Sequence, residues 1–163
     1  MSTMSTRESR KIQRLITKLT EGWGENIRIE AARSLGWLGP DNPDRIVPAL
    51  TEAMLTDRSE SVRLEAVLGI QWIGFKACSA IPDLVRALQK DESEKVRTRI
   101  AIVLQRIGCK EAETAVPALI SVYRKDKSKE VRKETQTALK KIASELGFEN
   151  HKKLIKKYSS QKK

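Results

Sequence analysis

The sequence predicts an all-α solenoid of about four helix pairs followed by a C-terminal capping helix. One short pattern recurs four times, at separations of 35, 34 and 35 residues. Its apolar positions follow the period of a helix rather than the alternation of a strand. Aromatic residues make up only 4% of the chain. A core of Leu, Ile, Val and Ala suits helices better than sheets.

Four arginines, each directly preceded by Ile or Val, mark the pattern. They are Arg28, Arg63, Arg97 and Arg132. Aliphatic residues stand seven and ten positions after each arginine, on one face of a helix. Three repeats carry a serine four positions before the arginine, where a helix N-cap is expected. These serines are Ser59, Ser93 and Ser128. Each repeat is therefore predicted to be helix, turn, helix.

The repeat frame also predicts where the helices end. Eleven positions after the arginines the chain reads Gly39, Gly74, Gly108 and then Ala143. Glycine there predicts a left-handed C-cap in the first three repeats. The repeats are expected at about residues 5–39, 42–74, 77–108 and 112–143, with the capping helix and a basic tail over 144–163. All of them are expected to form a single domain over residues 1–163.

The composition predicts a protein without a metal, a cofactor or a disulfide. Cys78 and Cys109 lie 31 residues apart without a partner at metal-ligand spacing, and the only histidine is His151. We expect both cysteines to be free thiols. No signal sequence and no long uncharged apolar run is found, so a cytoplasmic location without a membrane span is expected. The net charge of +11 would attract an anionic partner.

The pattern resembles the HEAT repeat, and its closest variant is the HEAT-like repeat of phycobilisome lyases. An aspartate six positions before the arginine, the Val-Arg pair and a terminal Ile-Gly carry the resemblance over roughly residues 12–143. It implies a right-handed, armadillo-like solenoid. It also implies a structural ladder within the repeats: Asp57 with Arg63, Asp91 with Arg97, and Asp126 with Arg132. Arg28, which has Gly22 at the aspartate position, would lack a partner.

Another set of positions is predicted to carry function. Residues one, five and nine positions after each arginine point away from the core. In the first two repeats this outward stripe is rich in Trp and aliphatic residues, which is typical of a binding surface. It becomes basic in the later repeats. The expected partner contacts are Ile29, Arg33, Trp37, Leu64, Leu68, Trp72, Ile102, Arg106 and Lys141; Thr98, Lys133 and Thr137 complete the stripe.

A second interpretation of the stripe is structural. Its side chains would then pack against a long loop, the N-terminal segment or a second copy of the chain. A monomer and a homodimer are both compatible with the sequence.

The leading functional prediction is a non-catalytic protein-interaction module. Its partner would be another protein with an apolar and an acidic segment. The second hypothesis is binding of nucleic-acid backbone through the basic surface, although Glu30, Glu65 and Glu134 beside the stripe would repel phosphates. The third, a bilin lyase or isomerase activity, follows only from the resemblance. No histidine lies within the repeats, and no pair of carboxylates has a spacing typical of a catalytic pair. No catalytic residue is therefore predicted.

Overall fold

Helices account for the regular structure of the protein. The computed structural model describes residues 6–160, and in this range the chain forms nine α-helices and no strand. The helices are α1 (Thr6–Glu21), α2 (Glu25–Leu38), α3 (Pro43–Thr56), α4 (Glu60–Ile73), α5 (Ile81–Lys90), α6 (Glu94–Arg106), α7 (Val116–Lys125), α8 (Lys129–Glu145) and α9 (His151–Ser160). Two 3₁₀ segments, Gly74–Ala80 and Lys110–Ala115, precede α5 and α7. Four helix pairs and a C-terminal helix confirm the predicted all-α solenoid.

The described residues fall into two compact units that divide between Ala77 and Cys78. In unit 1, which ends at Ala77, α2 packs on α1, α3 and α4, and α3 packs on α1 and α4. In unit 2, which begins at Cys78, α8 packs on α6, α7 and α9, while α5 and α7 pack on each other. Each unit therefore contains two helix pairs. The single domain over residues 1–163 stays a prediction.

Serine caps begin three of the four second helices, as predicted. The hydroxyls of Ser59, Ser93 and Ser128 accept hydrogen bonds from the amides three residues later, at 3.3, 3.3 and 3.2 Å. Each capping serine in turn donates its own amide to the aspartate two residues earlier, at 2.8 Å. The α2 helix follows Gly24 and has no side-chain cap. In the second, third and fourth repeats, one serine side chain thus sets the start of the second helix.

The predicted glycine caps are confirmed in two repeats and wrong in the first. Gly74 and Gly108 have left-handed φ angles of 63° and 69°. Gly39 has a right-handed φ of −63°, and a Cβ there would lie 2.3 Å from the Ile73 side chain. This glycine leaves space for the Ile73 side chain and is not needed for its backbone angle. In the fourth repeat the left-handed residue is Gly147, with φ of 74°, beyond the end that the frame predicts.

Among the described residues, one helical stretch, Glu60–Lys90, is long and apolar enough by length and composition to cross a membrane. Its 18-residue window reaches a mean hydropathy of 1.3, but half of that window is buried within the protein. Such burial within the fold is typical of a core helix, which passes the same test of length and hydropathy. The 3₁₀ segment Gly74–Ala80 also interrupts the run.

Candidate functional site

The arginine–aspartate ladder exists, but the pairs that the resemblance implies meet through a backbone carbonyl, whereas the carboxylate contacts of Arg28 and Arg97 run between repeats. Arg28 donates from Nε and Nη2 to the two Asp57 carboxylate oxygens, at 2.7 and 3.0 Å. Arg97 makes the same two-pronged contact with Asp126, at 2.8 and 3.0 Å. Both pairs connect the arginine of one repeat to the aspartate of the next. Within its own repeat, Arg97 donates to the backbone carbonyl of Asp91, at 2.9 Å.

The backbone contact recurs in the other repeats. Arg63 donates from Nη1 to the Asp57 carbonyl at 3.0 Å, and Arg132 donates to the Asp126 carbonyl. Arg28 donates to the carbonyl of Gly22, at 3.0 Å, in addition to its carboxylate partner. The expectation that Arg28 lacks a partner is therefore wrong.

Burial and charge assign the two ladder pairs a structural role. The side chains of both pairs are 5–8% exposed. Burial alone would raise the pKa of Asp126, but hydrogen bonds from Arg97 and the Ser128 amide, together with the Arg97 charge, outweigh it and lower that pKa. The pKa of Asp57 is lowered in the same way. Arg28 makes three and Arg97 makes four hydrogen bonds to protein acceptors, which leaves these guanidinium groups fewer of their donors for a ligand.

Two stripe tryptophans from successive repeats meet on the surface of unit 1. The ring centroids of Trp37 and Trp72 lie 5.0 Å apart, with their planes tilted by 32°. This is the spacing of a favourable aromatic pair. Trp37 is nevertheless 70% exposed and Trp72 is 38% exposed. The half-buried side chains of Ile29, Leu64 and Leu68 belong to the same two helices. We refer to these five residues, Ile29, Trp37, Leu64, Leu68 and Trp72, as the tryptophan surface.

A close approach of α2 and α4 brings the two tryptophans together. A Cβ on Gly36 would lie 2.7 Å from the Gly69 Cα and 2.9 Å from the Trp72 ring. The two helices therefore touch through their backbones next to the aromatic pair. Sequence reasoning missed these glycines, because they stand at different positions in the repeat frame. Their signal was present, since glycine inside a helix is costly and often indicates a close contact.

The predicted contact residue Arg33 is held by a carboxylate. Its Nε and Nη2 donate to the two oxygens of Glu65, at 3.0 and 3.2 Å. The Arg33 side chain is 51% exposed, whereas that of Glu65 is 12% exposed. Glu65 was expected to stand beside the stripe as a free negative charge. The two side chains instead form a pair with no net charge.

The stripe of unit 2 is polar and partly neutralised. Ile102 is half-buried, as are Thr98 and Thr137, and Arg106 is exposed. Lys133 pairs with Glu130 at 3.4 Å, and Lys141 pairs with Glu145 at 3.1 Å. That the stripe residues contact a partner stays a prediction in both units.

Cys78 and Cys109 form a disulfide in unit 2, so the expectation of two free thiols is wrong. Their Cα atoms lie 5.9 Å apart. Cys78 belongs to the segment Gly74–Ala80, and Cys109 directly precedes Lys110–Ala115. The cysteines occupy different positions in the repeat frame, which concealed the pairing. The available signal was that each one follows the end of a second helix, in consecutive repeats.

An open cleft in unit 1 was not predicted. It has a volume of about 410 Å³ and lies at the turn between α1 and α2. Trp23 stands at this cleft and is 96% exposed, while the Arg28–Asp57 pair also lines it. Trp23 is not part of the outward stripe, because it precedes the repeat arginine.

Comparison with known proteins identifies the repeat. The family model described as HEAT repeats matches residues 47–140, and the model described as PBS lyase HEAT-like repeat matches residues 27–56. A comparison with curated protein sequences gives no match.

Similar solved structures include two engineered proteins whose crystal structures come from the Northeast Structural Genomics Consortium. One is 26% identical with a TM-score of 0.64, over 82% of this chain and 63% of that one. The other is 25% identical with a TM-score of 0.60, over 86% and 65%. This chain spans less than two thirds of either protein. The paired helices, the arginine frame and a family match over more than half of the sequence agree: the chain belongs to the HEAT-repeat family.

Proposed function

We propose that the chain is a non-catalytic protein-interaction module that binds a partner protein on the tryptophan surface of unit 1. The exposed Trp37–Trp72 pair is the observation that supports this proposal. The two rings already contact each other, and the Trp72 ring lies next to Gly36, so part of the side-chain freedom is lost before binding. Tryptophan is also the residue type most enriched where binding energy concentrates.

The charge of the chain favours an acidic partner over a second copy. Two copies, each with a net charge of +11, repel one another at moderate salt. The Arg33–Glu65 pair adds no net charge beside the aromatic rings. We infer that the partner presents an apolar segment, such as one side of an amphipathic helix, within an acidic protein.

Nucleic acid is the second candidate, because the tryptophan surface does not offer the charges that phosphate binding needs. Phosphate binding requires free cationic side chains at the contact. The centre of the tryptophan surface is aromatic, and the guanidinium of Arg33 is held by Glu65. No specific side-chain arrangement on the tryptophan surface supports a bilin lyase activity.

Tryptophan fluorescence gives a direct binding test, because the chain contains only three tryptophans and two of them belong to the candidate surface. Proteins captured from the native lysate would be identified by mass spectrometry and purified. Each would be titrated into the Trp23→Phe variant, in which both remaining fluorophores belong to the candidate surface. We expect a blue shift of the tryptophan emission, because binding excludes water from the rings. Trp72→Ala should weaken binding about thirtyfold, which corresponds to about 2 kcal/mol.

Trp23→Ala is the matched control, because it removes an exposed tryptophan elsewhere in unit 1 and should leave the affinity unchanged. A captured protein that binds the Trp37→Ala/Trp72→Ala variant with an unchanged Kd would contradict the proposal. A wild-type dimer that these substitutions split would show instead that the surface joins two copies. A duplex-DNA affinity that falls steeply with salt and ignores both tryptophans would favour the second candidate.

A further inference from the structure

We propose that Cys78, Cys109 and Glu111 form a redox-gated metal site in unit 2. The site is closed while the two cysteines form a disulfide. After reduction it binds a thiophilic divalent cation such as Zn²⁺. This inference is independent of the tryptophan surface, which lies in unit 1.

The donor set fits such a cation. The two sulfurs and a carboxylate oxygen of Glu111 all lie within 4.8 Å of one another. Thiolate and carboxylate groups both bind Zn²⁺, with Zn–S distances of about 2.3 Å in tetrahedral sites, so that two sulfur ligands stand about 3.8 Å apart. The Cα atoms of the cysteines are 5.9 Å apart. Rotation of the two cysteine side chains can open the sulfurs to that separation while the backbone stays in place.

The local backbone brings the three ligands of unit 2 together. Gly108 turns the chain with its left-handed φ of 69° directly before Cys109. Glu111 follows two residues later, in the first turn of the 3₁₀ segment Lys110–Ala115. Cys109 is 7% exposed, Cys78 is half-buried and Glu111 is exposed. A reductant and a cation can therefore approach from the side of Cys78 and Glu111. Three protein ligands leave a fourth position for water.

Opening the site needs a reductant, for which a phosphine serves in the laboratory. The S–S bond breaks and the phosphorus is oxidised to a phosphine oxide. One water molecule supplies the oxygen of that oxide and the protons of the two new thiols. Binding of the cation then displaces one proton from each thiol, because the thiolate is the ligand. Glu111 binds as a carboxylate, and the oxidation state of the cation does not change.

Cobalt(II) is the spectroscopic probe for this site. The full-length protein would be reduced with tris(2-carboxyethyl)phosphine without oxygen and titrated with Co²⁺. We expect one Co²⁺ per reduced chain, with a sulfur-to-cobalt charge-transfer band and the visible bands of a tetrahedral ion. Zn²⁺ should abolish these bands by displacing the cobalt. The oxidised protein should show none of them. Far-ultraviolet circular dichroism would verify that the reduced protein remains helical.

Two glutamate variants test whether Glu111 is a metal ligand. Glu111→Gln should retain the charge-transfer band but weaken binding more than about tenfold, the lower end of what loss of an outer-shell partner costs. Glu113→Gln is the matched control in the same segment, because an amide can still accept the hydrogen bond from Tyr158. The proposal is overturned if the reduced protein shows no charge-transfer band. It is equally overturned if Cys78→Ser/Cys109→Ser retains the band, or if Glu111→Gln binds like the wild type.

Discussion

A buried carboxylate keeps its charge in this protein because a guanidinium faces it from the preceding repeat. Asp126 meets Arg97 in this way, and Asp57 meets Arg28. Replacing both members of such a pair by apolar groups is often tolerated, whereas removing one member leaves a charge buried alone. Substitution of a single member of a pair is therefore expected to lower the stability of the protein.

Acid is expected to destabilise the protein through these two aspartates. Their folded-state pKa lies below the unfolded value of about 3.9, so their stabilisation is complete above that pH and is lost as the pH falls through the folded pKa. Urea unfolding at a series of acidic pH values should show a falling free energy of unfolding. Asp126→Asn should reduce this pH dependence and cost about 3 kcal/mol at neutral pH, because Arg97 remains buried. Glu130→Gln is the control, because it removes a carboxylate whose ion pair with Lys133 is exposed, and it should change both quantities far less.

The ladder residues could be predicted from the sequence, but their partners could not. In a repeat of about 35 residues, an aspartate six positions before one arginine also stands 29 positions after the previous one. Both separations follow from the same repeat period, so periodicity cannot distinguish a contact within a repeat from one between repeats. Only the packing of successive turns decides it, and the structure selects the longer separation.

Among the elements, the start of α2 is the exception to the capping rule. Its N-cap is Gly24, with φ of −101° and ψ of 140°, angles that any residue adopts. A Cβ there would meet the Ile27 side chain at 3.6 Å, an ordinary contact. The first repeat therefore has space for the serine that the other three carry.

Gly24→Ser is expected to stabilise the protein by about 0.5 kcal/mol, since the hydroxyl can accept a free amide and the unfolded chain loses flexibility. Ser93→Ala should do the opposite and cost about 1 kcal/mol. Both values are accessible from urea unfolding of the purified variants. A loss of stability on Gly24→Ser would show that the first helix pair does not accept the cap geometry of the others.

Gly36→Ala should destabilise unit 1 although alanine is the better helix former. The new methyl group would lie 2.7 Å from the Gly69 backbone, which cannot move away as a flexible side chain can. We expect a cost of about 1–3 kcal/mol, as for overpacking, together with a changed tryptophan emission as the pair separates. Glu30→Ala, at an exposed position of the same helix, is the control. An unchanged stability for Gly36→Ala would show that α2 and α4 are not in backbone contact.

For the whole molecule, the fold class could be predicted from the repeat, whereas the disulfide between Cys78 and Cys109 could not. Four arginines in register were sufficient for paired helices. Cys78 and Cys109 share no register, and a separation of 31 residues is compatible with many arrangements. The predicted outward stripe does contain the Trp37–Trp72 contact, because residues in the same column of successive repeats are neighbours.

Reduction of the disulfide should destabilise unit 2 and leave unit 1 unchanged. Closing a loop of this length stabilises a folded chain by about 3–4 kcal/mol in the chain-entropy account. Hydrogen exchange followed by mass spectrometry, with and without a phosphine, would compare the two units peptide by peptide. We expect faster exchange in α5 to α8 and unchanged exchange in α1 to α4. Equal acceleration throughout the chain would contradict this prediction.

The pairing of Arg28 with Asp57 and of Arg97 with Asp126 also has a consequence for dissecting the protein. A fragment that stops between an arginine and the aspartate 29 residues later lacks the counter-charge of that guanidinium. Truncations that follow helix ends alone, for example after Leu38, would cut at such a point. Excised pieces should instead carry the whole Arg-to-Asp segment and the serine cap behind it, so that the buried Arg28–Asp57 and Arg97–Asp126 ion pairs stay intact.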